Sequence, residues 1–176
     1  MKYEDAPGAM AYFQGILDDI REKVKLFEYK RASLYIEWLK SKLQYILKEE
    51  KYDPRKDIYY KRGEIVHADL GFNVGNETGG KRFAIVCWSP QSSGTMTVIP
   101  ITSEKAGSTH NKNIHVLLGE LLEDGIVNWA KVEQIRAVSK LRVRPIPRTK
   151  YKVSRLFPAQ LDEIDRAIVR LYTKQP

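Results

Sequence analysis

Two apolar stretches, residues 64–70 and 83–88, bracket a twelve-residue connection, GFNVGNETGGKR, that holds four glycines. EIVHADL alternates with a period of two and FAIVCW is apolar almost throughout, and both are strand signals. A connection of this length inside a compact domain reads as a functional loop rather than a turn. Gly71, Gly75, Gly79 and Gly80 let its backbone take positive φ and let a ligand come close. Asn73, Asn76, Glu77, Thr78, Lys81 and Arg82 equip it with polar groups. A chain with this feature is committed to at least one strand pair with a chemically loaded rim.

Further period-two segments follow at 95–102, 113–118, 126–132 and 135–143, separated by turn-rich stretches at 90–94, 103–112 and 119–125. Short strands at this spacing predict a small antiparallel barrel. Residues 157–174 return to helical spacing, with Leu161, Ile164, Ile168 and Leu171 three and four apart, Pro158 near the start, and Asp162 and Glu163 in the first turns. Before the strands, residues 16–50 carry an amphipathic helical stripe that meets charge near residues 31–33, so one long helix or two both fit. That stripe needs an apolar partner surface, supplied either by the following domain or by another protein. Residues 52–61, with Asp53-Pro54, read as a linker. The expected organisation is a helical extension over 1–60 and a β-rich domain over 61–176.

With 176 residues and 43% hydrophobic content, the chain can bury one core plus a smaller appendage. No apolar run approaches the ~20 residues of a membrane span, and MKYEDAPGAM lacks the basic start and apolar run of an export signal. The expected location is the cytoplasm. The single cysteine, Cys87, excludes an internal disulfide framework and reads as a small buried hydrophobe. The formal net charge is +8, with +3 from residues 1–62 and +5 from 63–176, so neither part is a basic tail. No acid occurs between Glu133 and Asp162, however, while eight basic residues fall there. Within that stretch, Lys140, Arg142 and Arg144 alternate with aliphatics, which on a strand makes a row of cations roughly 7 Å apart that could track a single-stranded backbone. Trp88 and Trp129 are candidates for stacking on bases.

His67, His110 and His115 are scattered and only Asp69 accompanies His67 at close spacing, so no metal is expected. His110 and His115 could form a ribonuclease-like pair. The glycines lead into a strand and not a helix, which excludes a P-loop or dinucleotide fingerprint and leaves no cofactor in prospect. What remains suits a phosphodiester. Arg82 opens a strand at the end of the glycine loop and can project its donors from a fixed base. Thr102 ends the run TVIPIT with a hydroxyl, and Glu77 is a base or an acceptor for a nucleobase.

The segment RGEIVHADLGFNVGNETGGKRFAIVCWSP resembles the opening of the MazF/PemK toxin family, and the likeness continues through VIPIT and NWAKVEQIRAV, from about residue 61 to 171. The resemblance implies an SH3-like antiparallel barrel of the MazF/CcdB kind with a C-terminal helix, an α+β fold, here preceded by an extra helical segment. It implies a homodimeric toxin of a type II toxin-antitoxin system. Such a toxin cleaves single-stranded RNA without a metal and is held in check by an antitoxin protein that occupies the same groove. By position Arg82 and Thr102 become the catalytic pair, and Asn76, Glu77, Lys81, Gln134, Arg136 and Arg142 the RNA-binding residues. Phe83 stands where the family often has proline, and Asn76 where it usually has serine. The other readings of such a barrel are a CcdB-like protein that grips a topoisomerase, and a silent relative that binds RNA without cutting it.

Overall fold

The computed structural model describes residues 2–107, 109–121, 125–147 and 154–173. It divides into two compact units, Met1–Lys42 and Leu43–Pro176. Helix α1 spans Ala9–Val24, and α2 spans Tyr29–Glu49 and crosses from the first unit into the second. The chain therefore makes two helices, and the break falls at residues 25–28, a few residues before the charged point in the stripe. There the backbone tightens to i→i−3 hydrogen bonds, Leu26 N to Lys23 O at 3.1 Å and Phe27 N to Val24 O at 3.0 Å. Phe27 then packs edge-on to Tyr35 at 6.1 Å, with the Arg31 guanidinium 5.1 Å from its ring centre. No residue of α1 or α2 is buried, and Leu17, Leu34, Leu39, Leu43 and Leu47 remain exposed.

The second unit is a seven-stranded antiparallel sheet: β1 Ile65–Asp69, β2 Lys81–Trp88, β3 Thr95–Ser103, β4 His115–Glu120, β5 Val127–Lys131, β6 Arg136–Ser139 and β7 Val143–Pro145. The pairing order is β4-β5-β3-β2-β1-β7, with β6 also on β3. Strand β3 is shared along its length: its first half pairs with β6 and its last three residues with β5. The strand expected over 135–143 is interrupted, because Ser139 accepts a 3.3 Å hydrogen bond from Leu141 N and starts a 3-10 turn over Lys140–Arg142. Among the described residues, hydrogen bonding does not close the sheet into the expected barrel: the pairing path ends at β4 and β7, and β7 is three residues long and finishes on Pro145, which has no N–H to pair.

Both faces of the central strands are covered, so Ala84, Ile85 and Val86 are all buried in succession. One cluster gathers Ile65, Ile85, Ile99, Ile101, Val116, Leu118 and Ala130 under α3, Pro158–Tyr172, which contributes Ile164 and Ala167. The other gathers Val66, Ala68, Ala84, Val86, Met96, Val98, Val138 and Val143. Each large aliphatic buried this way contributes about 1.5–3 kcal/mol relative to exposure. Helix α3 is fixed at its start by Phe157 N donating to Gln160 Oε1 at 2.8 Å, and by Gln160 Nε2 donating to Leu118 O at 2.9 Å. Cys87 packs against the first cluster, and burial pushes its thiol up to about 12. Among the described residues no helix is long and apolar enough to cross a membrane.

Candidate active site and nucleic-acid face

The glycine loop is closed at its base as a continuation of the β1–β2 pair. Leu70 N donates to Gly80 O at 2.9 Å and Gly80 N to Gly71 O at 2.6 Å. The crossing is too tight for a side chain: a Cβ on Gly79 would stand 2.7 Å from the Gly71 carbonyl oxygen. Gly80, at φ 76°, takes the left-handed conformation that turns the chain into β2. Asn73 Nδ2 spans the loop to Thr78 O at 2.8 Å.

Thr78 is the point where this loop is pinned to the rest of the sheet. Its N–H donates to Gln134 Oε1 at 3.1 Å, its carbonyl accepts from Arg136 Nη1 at 3.3 Å, and its hydroxyl accepts from Lys131 Nζ at 3.4 Å. Gln134 and Arg136 are thus half-buried loop anchors, whereas Asn76, Glu77 and Lys81 are exposed at the rim. Asp69 does the same work at the loop base. It is buried; Oδ1 accepts from Gly71 N at 3.2 Å, Oδ2 from the Tyr45 hydroxyl at 3.1 Å, and its carbonyl from Arg142 Nε at 2.8 Å. The sequence marks Thr78 only as a polar group of the loop and Asp69 only as a neighbour of His67, and it gives no sign of Lys131 and Tyr45, whose partners lie 53 and 24 positions away.

Arg82 stands opposite Ala68 of β1, and its Nε donates to Gly79 O at 2.6 Å. The guanidinium is exposed and, among the described residues, is tethered through Nε alone. The β2–β3 register pairs Ala84 with Pro100; two residues further, that register leads to Arg82 and Thr102. Alternation along the strands puts both on the face of Ala84, Val86, Met96 and Val98. Thr102 is paired in turn with Trp129 of β5. The glycine loop, Arg82, Thr102, Trp129 and Lys131 therefore share one continuous face.

The cation row does not form. Lys140 is 1% exposed and its Nζ donates to Pro90 O at 2.6 Å, with burial lowering its pKa; Arg142 is half-buried on Asp69, and Arg144 is exposed on β7. Arg148, Lys150 and Lys152 lie outside the described residues. Trp88 is 58% exposed, whereas Trp129 is buried with the His110 ring stacked on it. His67 lies against Phe83. Among the described residues no three His, Cys, Asp or Glu side chains converge to hold a metal. His110 and His115, ten and fifteen positions into the second hundred, meet with their Nδ1 atoms 3.2 Å apart.

Residues 61–172 match the family of PemK-like, MazF-like toxins of type II toxin-antitoxin systems. The chain belongs to this family. No curated protein sequence matches it. The PemK-like chain is similar to solved structures at low identity. The crystal structure of MazF (Form-I) from Deinococcus radiodurans is 22% identical, with 65% of this chain and 97% of that one covered, at a TM-score of 0.48. MazE-MazF (Form-II) from the same organism gives 23%, 65%, 96% and 0.44. The Mycobacterium tuberculosis toxin MazF-mt6 gives 11%, 62%, 98% and 0.42. The PemK-like match begins after α1 and α2, so Tyr45, which holds the base of the glycine loop, lies outside it.

Proposed function

We propose that this PemK-like toxin is an endoribonuclease that cuts single-stranded RNA without a metal ion, through attack of a ribose 2′-hydroxyl on the adjoining phosphodiester. The observation that carries the reading is the 2.6 Å hydrogen bond from Arg82 Nε to the Gly79 carbonyl. It fixes the root of an exposed guanidinium at the rim of an anchored loop, so the remaining donors are aimed before substrate arrives. Donors fixed in advance are what a phosphoryl group gaining charge requires. The Thr102 hydroxyl adds a donor on the same face. Asn76, Glu77 and Lys81 contact the RNA directly at the loop rim, and Gln134, Arg136 and Arg142 hold the surface they present. A guanidinium has no acceptor to offer, so the proton on the 2′-hydroxyl must leave to another group.

In this reading residues 61–176 are the toxin domain and 1–60 an extension of it. Two copies of the chain form the working homodimer in the cytoplasm, and the cognate antitoxin protein blocks the RNA face. Incubating the purified protein with a long RNA in the presence of a chelator tests the activity. Cuts with a 2′,3′-cyclic phosphate on one side and a 5′-hydroxyl on the other are expected. RNA that is bound but left intact would instead make the chain a silent binder.

A further inference from the structure

His110, His115 and Glu133 form one line of hydrogen bonds on the face that carries Thr102. His115 opens β4 in register with Lys131, and Trp129, two residues earlier on β5, is in register with Thr102. His110, on the connection from β3 to β4, lies flat on Trp129 with ring centres 4.7 Å apart and planes 12° from parallel. Its Nδ1 is 3.2 Å from His115 Nδ1, and His115 Nε2 is 3.2 Å from Glu133 Oε1. Lys131 Nζ stands 3.5 Å from that same carboxylate oxygen and 3.4 Å from Thr78 Oγ1, which ties the line to the glycine loop.

The proton positions follow from what each atom can do. A carboxylate oxygen 3.5 Å from the Lys131 ammonium serves as an acceptor, so His115 Nε2 is the donor to Glu133 Oε1. We assign Nδ1 of His115 as the acceptor at the other end of its ring, so His110 donates to it through its own Nδ1. What is left is His110 Nε2, an unprotonated lone pair at the end of the line, and among the described residues that atom is buried with no hydrogen-bond partner. Buried acceptors of this kind call for an explanation. Burial first, then His115, with a smaller push from Lys131 and an opposing one from Glu104, lower the His110 pKa, which keeps the ring neutral at neutral pH.

We propose that His110 is the general base of this toxin, oriented by His115 and Glu133, and that it takes the proton from a ribose 2′-hydroxyl seated over Thr102. The assignment rests on the endoribonuclease reading. The proton passes to His110 Nε2 as the 2′-oxygen bonds to phosphorus. The bond from phosphorus to the 5′-oxygen breaks, that oxygen takes a proton from water, and the hydroxide so formed recovers the proton held by His110. Nε2 is closed to solvent, so RNA binding has to expose it, and the base is kept out of water until then.

Two measurements test the assignment. Nitrogen NMR of the imidazoles in the parent protein at neutral pH should find the proton on Nδ1 of His110 and on Nε2 of His115; a proton on His110 Nε2 overturns the proposal whatever happens to RNA. In single-site cleavage kinetics, His110→Ala should lower kcat by about 100-fold or more with KM unchanged. It should also lose the acidic limb of the kcat profile, which in the parent lies below the ordinary imidazole value of about 6.5, and added imidazole should restore part of the rate. A variant with the parent's kcat and acidic limb overturns the base and leaves the nuclease reading intact, whereas a parent protein that leaves RNA uncut overturns both. The tautomer measurement needs no variant, and it decides the matter should His110→Ala fail to fold.

Discussion

The Tyr45 hydroxyl donates a 3.1 Å hydrogen bond to Asp69 Oδ2, while the other oxygen of that carboxylate accepts from Gly71 N. One carboxylate thus joins the end of α2 to the first residue of the glycine loop. Removing the hydroxyl leaves a buried carboxylate with one partner fewer, which costs about 1.5–3 kcal/mol when the acceptor is charged. Tyr45→Phe should lower the unfolding free energy by roughly that amount and reduce kcat for RNA cleavage more than it raises KM. Chemical denaturation and steady-state kinetics on the same sample check both.

Arg82 is held at Nε and exposed beyond it, so its truncation removes donors without disturbing a core. Losing one such electrostatic donor typically costs about 100- to 1000-fold in rate. Arg82→Ala should melt within a degree or two of the parent, on the order of 0.5 kcal/mol for an exposed site, and cut RNA at least 100-fold more slowly. A folded variant that cuts at the parent rate would remove Arg82 from the mechanism.

Gly79 tests whether the loop conformation matters apart from its polar groups. An added methyl would stand 2.7 Å from the Gly71 carbonyl oxygen, and backbone on both sides of the crossing has to shift to relieve it. Gly79→Ala should destabilise by about 1–3 kcal/mol and displace the carbonyl that holds Arg82. Cleavage should fall as far as in Arg82→Ala, although every donor in the site is still present.

Alkaline stability should be set by tyrosines. Burial, then Asp57 and Glu64, raise the Tyr60 pKa to about 12, and Tyr45 and Tyr52 are shifted in the same direction by burial and by their hydrogen bonds to Asp69 and Asp57. A folded-state pKa raised above the unfolded value of about 10 means that the unfolded chain gives up its protons first. Stability is therefore full below pH ~10 and falls as the pH climbs toward the folded-state values. Urea midpoints measured from pH 8 to 12 should be flat and then decline, and Tyr60→Phe should flatten part of the decline.

The strands could be read from the chain because alternation is local, and the loop because glycines announce themselves; β1 to β5 lie within two residues of their expected bounds, whereas the strand expected over 135–143 breaks into β6, a 3-10 turn and β7. What holds the loop was hidden. Thr78 and Gln134 are 56 positions apart, and neither residue type signals a partner at that distance. The histidine line was half visible as a pair, but its direction depends on Glu133, whose place beside His115 is decided by the β4–β5 register. The sheet edges escaped for another reason: period-two patterning marks which residues are strands, not whether the two end strands meet.

Lys140 and Arg144 separate a basic row from a basic sequence. On a straight strand the two would share a solvent face, but the 3-10 turn begun at Ser139 buries the Lys140 stem and lodges its ammonium on Pro90 O. Cutting that stem back leaves a cavity and strands a carbonyl, a loss of about 2–4 kcal/mol by analogy with other long buried chains. Arg144 is exposed on β7 and contributes only charge. Lys140→Ala should therefore lower stability with unchanged RNA affinity per folded molecule. Arg144→Ala should leave stability within about 0.5 kcal/mol of the parent. If RNA runs along β7, it should also reduce the dependence of log K on log salt by about one phosphate contact. Equal salt slopes in both variants and the parent would place the RNA path away from β7, toward the loop rim where Asn76, Glu77 and Lys81 are exposed.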